Sequence, residues 1–409
     1  MSDIKKFVKY FKKSKAFCVM PWIHYFVRAN GKISPCCVNT TYEYGTNEDL
    51  DSQSVIEFAN NEKFKNIRKQ MMSGELPTSC WMCKENEKSF GKSWRTDWNR
   101  NAETLLSEQQ IQQILDTPET GEFPEFKLRY ADVRSSNICN LKCRYCSPYA
   151  SSRIQAEEKV IGIFKNGLKL SKYNLSEDLM QIYFAGGEPL IDEEHYNILD
   201  KLEANNKFKI NLIYNSNFTN LRFKNKHVLD YWKKFEFLTV QVSMDDLGPR
   251  QEYIRNGSNT ETILSNFAEF HSQIHNSYDR LKISITISVL NFFYIDEVIN
   301  GIIDHNLVNT EKIDFNYVRS PEFLSTFRFL PILRQNFRDA VNRIKDTTIR
   351  LNLKKIVEDE VEEFSREENL LFIENFYQKI REKDKIRNEK FEEVFPELHE
   401  AIQSFGRNQ

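Results

Sequence analysis

All eight cysteines of this 409-residue chain lie within its first 146 residues, where they form two groups. One group precedes residue 90 and the other occupies a single short loop; in chain order they are Cys18, Cys36, Cys37, Cys80 and Cys83, then Cys139, Cys143 and Cys146. Structural disulfides are rare in cytosolic proteins, and short Cys-x2-Cys spacings in such proteins are typical of metal sites. We therefore interpret both groups as metal ligands.

Composition limits the compartment and the partners. Lys and Arg total 57 and Asp and Glu 59, so the charge neither demands nor excludes a nucleic-acid partner, and we expect none. No stretch approaches the roughly 18 apolar residues of a membrane span, and no apolar signal core follows the Lys-rich start. We expect a cytoplasmic protein without membrane contact. The apolar residues of that start have helical spacing and predict a solvated amphipathic helix: Ile4, Phe7, Val8 and Phe11.

The order of strand-like and helix-like segments predicts three regions. Residues 1–118 form a small α+β region, with strands over 22–28 and 32–34 joined at Asn30-Gly31 and a helix over 55–72. Residues 119–320 alternate apolar strands with amphipathic helices, which is typical of parallel β/α units. Residues 321–409 are helical, and the acidic run 358–363 is a solvated face. The six predicted barrel strands are Leu128–Val133, Gln181–Phe184, Ile210–Tyr214, Phe237–Val242, Leu281–Val289 and Lys312–Val318.

The second cysteine group lies in the loop SSNICNLKCRYCSPY, directly after the first of these strands. Three thiolates at Cys-x3-Cys-x2-Cys spacing can hold three corners of a 4Fe-4S cube and leave its fourth iron open. With Tyr145 at the aromatic position, the loop resembles the signature of the radical S-adenosylmethionine (radical SAM) superfamily. The resemblance implies that Cys139, Cys143 and Cys146 bind the catalytic cluster. A zinc site is the alternative, but it would need a fourth Cys or His nearby, which the loop lacks.

The ends of later strands agree with this resemblance. Gly186, Gly187, Glu188 and Pro189 end the second strand, where paired glycines allow a ligand to approach and a carboxylate can pair with an ammonium. They resemble the family's GGE motif, which receives the amino group of SAM. The resemblance also implies SAM ribose and carboxylate contacts from Asn215, Asn217, Ser243, Asp245 and Arg255. Helix caps and turns are the alternative for each of these residues.

The first cysteine group resembles the SPASM/twitch auxiliary domain. Twelve residues separate Cys18 from Gly31, four separate Gly31 from Cys36, and Cys80-x2-Cys83 follows at a distance. No further cysteine precedes the second group, so the resemblance implies the shorter twitch form, with one auxiliary 4Fe-4S cluster on these four cysteines. The position is a departure, because twitch domains usually follow the barrel.

Two alternatives concern the ligands of this first group. Cys37 competes with Cys36, although the Gly-x4-Cys spacing favours Cys36. Zinc suits the same four cysteines, and His24 raises the option of a mixed Cys and His site, although packing within the hairpin explains His24 as well.

The fold class expected from these patterns is α/β: a partial (β/α)6 barrel of the TIM type, a small N-terminal twitch-like domain and a helical C-terminal region. The resemblance implies an enzyme that cleaves SAM reductively to a 5′-deoxyadenosyl radical and abstracts a hydrogen from its substrate. We expect the auxiliary cluster to transfer electrons in redox modification of a peptide or protein side chain, or of a small sugar-like metabolite. The expected electron donor is a flavodoxin or ferredoxin. The alternative is a non-enzymatic zinc- or iron-sulfur-binding interaction or electron-carrier protein.

Overall fold

The computed structural model describes residues 11, 13–39, 42–100, 102–116, 119–173, 175–358 and 364–407. The predicted N-terminal helix, apart from Phe11, and most of the acidic run 358–363 lie outside these residues. The chain forms two compact units: Met1–Ile138, Lys159–Ile213 and Lys234–Leu238 make the first, and Cys139–Glu158, Tyr214–Lys233 and Thr239–Gln409 the second. The first two barrel strands belong to the first unit, and the domain limits at residues 118 and 320 stay a prediction.

The described strands are β1 (Phe26–Val27), β2 (Lys32–Ser34), β3 (Gly45–Thr46), β4 (Tyr130–Val133), β5 (Lys142–Cys143), β6 (Gln181–Phe184), β7 (Asn211–Ser216), β8 (Arg222–Phe223), β9 (Lys226–His227), β10 (Leu238–Ser243), β11 (Arg255–Asn256), β12 (Leu281–Ile287) and β13 (Ile313–Tyr317). Six of them form one sheet in the order β13-β12-β10-β7-β6-β4. The pairs β4–β6, β10–β12 and β12–β13 are parallel. Strands that are successive in this sheet are neighbours, as in a barrel built from consecutive β/α units, and the predicted fold class is confirmed.

Helices connect these strands and make up the C-terminal region. The α-helices are Met20–Ile23, Asn47–Ser52, Val55–Ala59, Glu62–Met72, Trp81–Phe90, Trp94–Arg100, Ala102–Leu105, Glu108–Asp116, Ser152–Glu157, Glu193–Ala204, Val228–Trp232, Gly248–Ile254, Thr260–Gln273, Ser277–Arg280, Val289–Phe292, Ile295–Asp304, Thr326–Asn342, Thr347–Glu358, Arg366–Arg387, Phe391–Val394 and Pro396–Arg407. Short 3-10 helices are Thr78–Cys80, Leu170–Lys172, Pro189–Ile191, Thr310–Lys312 and Glu322–Leu324. None of the described helices is long and apolar enough to cross a membrane.

Two local predictions in the N-terminal region are wrong. The segment around Trp22 is a helix, not a strand, because Pro21 stands in its first turn, where a missing N–H costs no hydrogen bond. The single helix expected over 55–72 is two helices. Asn61 separates them, because its side chain accepts hydrogen bonds from the N–H groups of Lys63 and Phe64 and so caps the second helix.

The half of the sheet in the second unit has two chemically opposite faces. Side chains alternate along each strand, and paired residues of parallel strands point to the same side. One face is largely apolar, with Phe315 and Tyr317 half-buried and the other residues buried: Val240, Val242, Leu281, Ile283, Ile285, Ile287 and Ile313. The other is polar, and apart from the buried Ser284 its residues are half-buried or exposed: Thr239, Gln241, Ser243, Lys282, Ser284, Thr286, Asp314 and Asn316. The interiors of TIM barrels are usually packed with branched apolar residues. This face instead carries hydrogen-bonding groups, and it is therefore suited to binding a polar molecule.

His24 is part of the core of the first unit and not of a metal site. Its side chain is 1% exposed, and its Nδ1 lies 2.9 Å from the Tyr130 carbonyl oxygen. A carbonyl only accepts, so Nδ1 carries the proton. Burial, together with the charge of Arg134, lowers the pKa of His24 to about 3, although the hydrogen bond to Tyr130 raises it. The folded protein therefore holds His24 neutral.

This pKa predicts a pH dependence of stability. Below about pH 6.5 the unfolded chain protonates His24 and the folded chain does not, so the free energy of unfolding falls by about 1.4 kcal/mol per pH unit towards pH 3. His24→Asn keeps an amide donor for Tyr130, and we expect a shallower pH slope. Denaturant unfolding between pH 5 and 7.5 measures it, with His305→Asn, at an exposed histidine, as the control. Equal slopes in the wild type and His24→Asn would contradict this.

Candidate cluster sites

Four cysteines of the first group line one pocket in the first unit. Cys18 precedes the helix Met20–Ile23 and Cys36 follows β2, while Cys80 ends a 3-10 helix and Cys83 lies in the first turn of the next helix. The other lining residues are mainly apolar, among them Met20, Pro21, Pro35, Ile67, Met71 and Trp94. No histidine lines this pocket. Four thiols that line one largely apolar pocket can supply the four ligands of an iron-sulfur cube.

Burial raises the pKa of the thiols that line this pocket. Burial, with the neighbouring charge of Cys83, raises the pKa of Cys80 to about 11, and burial raises the pKa of Cys18 and Cys83 as well. Thiols at this depth lose their protons when a metal binds them. Among the described residues, no three His, Cys, Asp or Glu side chains converge closely enough to hold a single metal ion.

Arg95 fixes the wall of this pocket. Its guanidinium donates to Glu87 at 2.9 and 2.6 Å and to the carbonyl oxygens of Ser14 and Phe17 at 2.7 Å. The last contact holds the backbone immediately before Cys18. The sequence pattern gave no indication of Arg95, because it lies on a separate helix from the cysteines.

Cys37 does not line the pocket. Its thiol is hydrogen-bonded to Asp132, a fully buried carboxylate that Arg134 binds with two hydrogen bonds of 2.9 and 3.1 Å. Burial, with the charge of Asp132, raises the pKa of Cys37 to about 12. Of the two adjacent cysteines, the structure places Cys36 among the other three thiols.

Serine variants of Cys36 and Cys37 test which of the two is the cluster ligand. We expect Cys36→Ser to lose the auxiliary cluster, so that iron falls from about eight to about four per chain after anaerobic reconstitution. Cys37→Ser keeps a hydroxyl for Asp132 and retains all the iron. Iron and sulfide analysis measures this, and loss of iron in Cys37→Ser alone would reverse the assignment.

The second cysteine group is held by short backbone contacts in the second unit. Cys143 lies in β5, which pairs antiparallel with β11 so that Cys143 faces Arg255. The N–H of Cys146 donates to the Cys143 carbonyl at 3.1 Å. Ser151 caps the following helix through the Ile154 N–H and donates to the Leu141 carbonyl at 2.8 Å. The three thiols are thereby carried on one folded loop.

Asp245 gathers several predicted SAM residues beside this loop. Its carboxylate accepts hydrogen bonds from Arg255 Nε at 2.7 Å, from the Tyr145 hydroxyl and from the Thr286 N–H at 2.7 Å. Arg255 Nη1 lies 3.8 Å from Cys143 Sγ. These residues are therefore neighbours of the cysteine loop, and their contacts with SAM stay a prediction.

The asparagines at the end of β7 are also near the loop. Asn217 Nδ2 donates to Asn140 Oδ1 at 2.8 Å, and Asn140 lies between the first two cysteines. Asn215 Oδ1 is buried and has no hydrogen-bond partner. A buried acceptor without a donor suits a ligand hydroxyl. Ser243 lies on the polar face of the sheet, at the end of β10.

The GGEP segment packs against the residue before the first loop cysteine. Glu188 N–H donates to the Ile138 carbonyl at 2.7 Å, and a Cβ on Gly187 would come within 2.0 Å of the same oxygen. Gly186 has φ +109°, a conformation that favours glycine. The Glu188 carboxylate is 2% exposed and accepts from the Leu190 N–H at 3.0 Å. Both glycines are therefore required by the backbone as well as by the resemblance.

Sequence reasoning missed a carboxylate in the same place. Asp192 Oδ2 accepts hydrogen bonds from the hydroxyls of Ser135 and Ser136, both at 2.6 Å, and this ties the start of the cysteine loop to the segment after GGEP. No local pattern identifies this contact, because the serines lie 57 and 56 residues from Asp192 in the sequence.

Gly187→Ala tests this packing. We expect the added methyl to displace Ile138, lowering the free energy of unfolding by about 1–3 kcal/mol and weakening SAM binding. Chemical denaturation and anaerobic equilibrium dialysis with labelled SAM measure the two effects. Gly406→Ala is the control, because its nearest neighbour beyond its own helix is 3.9 Å away. Unchanged stability and SAM binding would show that the backbone can adapt.

Two family models match the chain in these regions. The Radical SAM superfamily matches residues 133–299, and the iron-sulfur cluster-binding SPASM domain matches residues 18–84. Over these residues the chain has a radical SAM domain and an iron-sulfur cluster-binding SPASM domain. The resemblance seen in the cysteine spacing is confirmed, including the order with the SPASM domain first. The two domains imply a 4Fe-4S cluster with SAM and an auxiliary cluster.

Curated relatives of this radical SAM protein match over short segments. A GTP 3′,8-cyclase of Helicobacter pylori (strain HPAG1) is 30% identical over 118 residues, which is 29% of this chain and 35% of that protein. A GTP 3′,8-cyclase of Mannheimia succiniciproducens is 23% identical over 177 residues, which is 43% of this chain and 50% of the relative. The chain spans between about a third and half of the length of these relatives.

Solved structures give a fainter likeness. "Native anSMEcpe with bound AdoMet" is 17% identical, with a TM-score of 0.38 over 57% of this chain and 67% of that one. "Native anSMEcpe with bound AdoMet and Cp18Cys peptide" is also 17% identical, with a TM-score of 0.35 over 52% and 58%. At these scores the likeness carries no argument about activity.

Proposed function

We propose that this radical SAM protein carries out redox modification of a polar substrate, either a peptide or protein side chain or a small sugar-like metabolite. The observation that carries the proposal is the different number of thiols in the two cysteine groups. One loop offers three thiols and a separate pocket offers four. Three ligands leave one iron of a cube open, whereas four ligands close it.

The residues around the loop have distinct tasks in this proposal. Cys139, Cys143 and Cys146 would hold the catalytic cluster, which would supply the electron for reductive cleavage of SAM to methionine and a 5′-deoxyadenosyl radical. Asp245 orients Arg255 and Tyr145 beside the loop. Fixed charges and hydrogen bonds of this kind position a reactant without reorganisation during the reaction.

The four-cysteine pocket supports an electron-transfer role for the auxiliary cluster. Cys18, Cys36, Cys80 and Cys83 fill the four ligand positions of a cube, so a substrate could bind the iron only by displacing a thiolate. Apolar walls keep water away from such a cluster. We propose that it accepts an electron from, or returns one to, the substrate, with a flavodoxin or ferredoxin as external donor.

The polar face of the sheet supports a hydrogen-bonding substrate. Gln241, Lys282, Thr286 and Asn316 present amide, ammonium and hydroxyl groups on this face. Lys282 lies 3.5 Å from Asp314, so the pair adds no net charge. Such a surface favours peptides, sugars or nucleosides over hydrocarbons. The partial similarity to GTP 3′,8-cyclases makes GTP one polar candidate to include in a screen.

Loss of the loop thiols tests the catalytic proposal. Cys139→Ala, Cys143→Ala and Cys146→Ala together should abolish release of 5′-deoxyadenosine from SAM under dithionite and leave about four iron per chain, since the auxiliary cluster remains. Anaerobic chromatography with mass spectrometry detects the product.

The paired control is Cys80→Ala with Cys83→Ala, which should lose the auxiliary iron but keep SAM cleavage. Persistent cleavage in the triple variant would refute the assignment of the loop. Zinc without iron after anaerobic purification would favour the non-enzymatic interaction protein.

A further inference from the structure

Arg144 lies between two cluster ligands of the loop and is held within the second unit by its backbone N–H, its Nε, its Nη2 and a ring contact. It is 5% exposed. Its N–H donates to the Ile254 carbonyl at 2.9 Å, and its Nε donates to the Tyr253 carbonyl at 3.2 Å. The guanidinium carbon lies 3.4 Å from the centroid of the Tyr253 ring. The chain between Cys143 and Cys146 therefore has little freedom to move.

Two carboxylates from the C-terminal region bind the same guanidinium. Arg144 Nη2 donates to Asp384 Oδ1 at 2.5 Å and to Glu389 Oε2 at 2.6 Å. Asp384 lies in the last turn of the helix Arg366–Arg387, and it also accepts from the Tyr253 hydroxyl and the Phe391 N–H, both at 2.8 Å. Both carboxylate oxygens of Asp384 therefore serve this one contact region.

The same helix contacts the chain after the loop. Arg387 donates to both oxygens of Glu157, at 2.8 and 3.0 Å, and Glu157 is the last residue of the helix that follows the loop. Both side chains are buried, with Arg387 0% and Glu157 4% exposed. Lys142, in β5, lies 3.3 Å from the same carboxylate. The C-terminal helix thus contacts both the loop, at Arg144, and the helix that follows the loop, at Glu157.

Buried ion pairs are a costly way to gain stability, because each charge must be removed from water. Apolar packing would join the C-terminal helix to the second unit more simply. A planar guanidinium held by two carboxylates and a carbonyl instead fixes direction, since each hydrogen bond constrains an angle. The arrangement is thus better explained by positioning than by stability alone.

We propose that Arg144 is a positioning residue, which Asp384 and Glu389 hold so that Cys143 and Cys146 keep the spacing that the catalytic cluster needs. The C-terminal helix is then part of the catalytic unit. The inference rests on the proposed function of the loop. It assigns the region after residue 320 a role that its sequence does not suggest.

Asp384→Asn and Arg144→Gln test the inference in the full-length, anaerobically reconstituted protein. Asn has one acceptor oxygen in place of two, so it cannot serve Arg144, Tyr253 and Phe391 together. We expect iron loss from the loop to a chelator to be about tenfold faster or more, as is typical when the hydrogen-bonded support of a metal ligand is removed. We also expect a shifted midpoint potential and a smaller SAM-induced change in the EPR spectrum of the reduced cluster.

Glu382→Gln is the matched control, because it breaks a half-exposed pair with Lys379 on the same helix, two residues from Asp384. The double variant with both Asp384→Asn and Arg144→Gln should accelerate iron loss by less than the two single effects combined, since each substitution removes the same interaction. Unchanged chelator kinetics, potential and EPR response in Asp384→Asn would overturn the proposal, even with a lower melting temperature.

Arg144→Lys covers the case in which the other variants do not fold. It keeps the charge but cannot form the planar fork, and we expect it to fold and still lose part of the SAM-induced EPR change. A full wild-type response in Arg144→Lys would overturn the proposal. If the wild type itself shows no SAM-induced change, the proposed function fails instead, which is a separate result.

Discussion

Asp245 is the carboxylate on which the cysteine loop of this protein most depends. It is 0% exposed, and an ion at that depth is tolerated only when its oxygens are paired. Arg255, Tyr145 and the N–H of Thr286 meet that requirement, and each belongs to a different segment. Satisfying one buried charge therefore fixes β11, the cysteine loop and the end of β12 in a single arrangement.

A second buried carboxylate, Asp132, organises its neighbours in the first unit in the same way. The fully buried Asp132 is paired with Arg134 and receives the thiol of Cys37, so a cysteine next to a proposed ligand has a structural partner of its own. Cys36 and Cys37 are adjacent in sequence, yet one lies in an apolar pocket and the other at an ion pair. Environment, rather than residue type, separates their chemistry.

Much of this could be predicted from sequence because it depends on local spacing. Cysteine intervals limit which thiols one loop can bring together, and alternating apolar runs predicted all six sheet strands to within about two residues. The break at Asn61, which caps the helix Glu62–Met72, could not be predicted because a polar residue within an amphipathic stretch is compatible with a continuous helix. The contact of Arg144 with Asp384 spans 240 positions, and no local pattern encodes such a distance.

The residues of the candidate SAM site and their neighbours were only partly predictable from local sequence. Gly187 could be anticipated, since two glycines before Glu and Pro are informative, and the backbone explains why a side chain does not fit there. Asp192 could not, because a carboxylate after a short 3-10 helix has many explanations until its serine partners are located. Charged groups that act through tertiary contacts carry the weakest sequence signal.

The separation of the two faces of the sheet has a consequence for how this protein can diverge. Replacing Gln241 or Asn316 would change the groups that face the proposed substrate. Val240 and Ile285, on the opposite face, would keep their packing. Evolutionary change in selectivity is thereby uncoupled from the risk of unfolding. Related chains could therefore accumulate substitutions on the polar face while the apolar face stays constant.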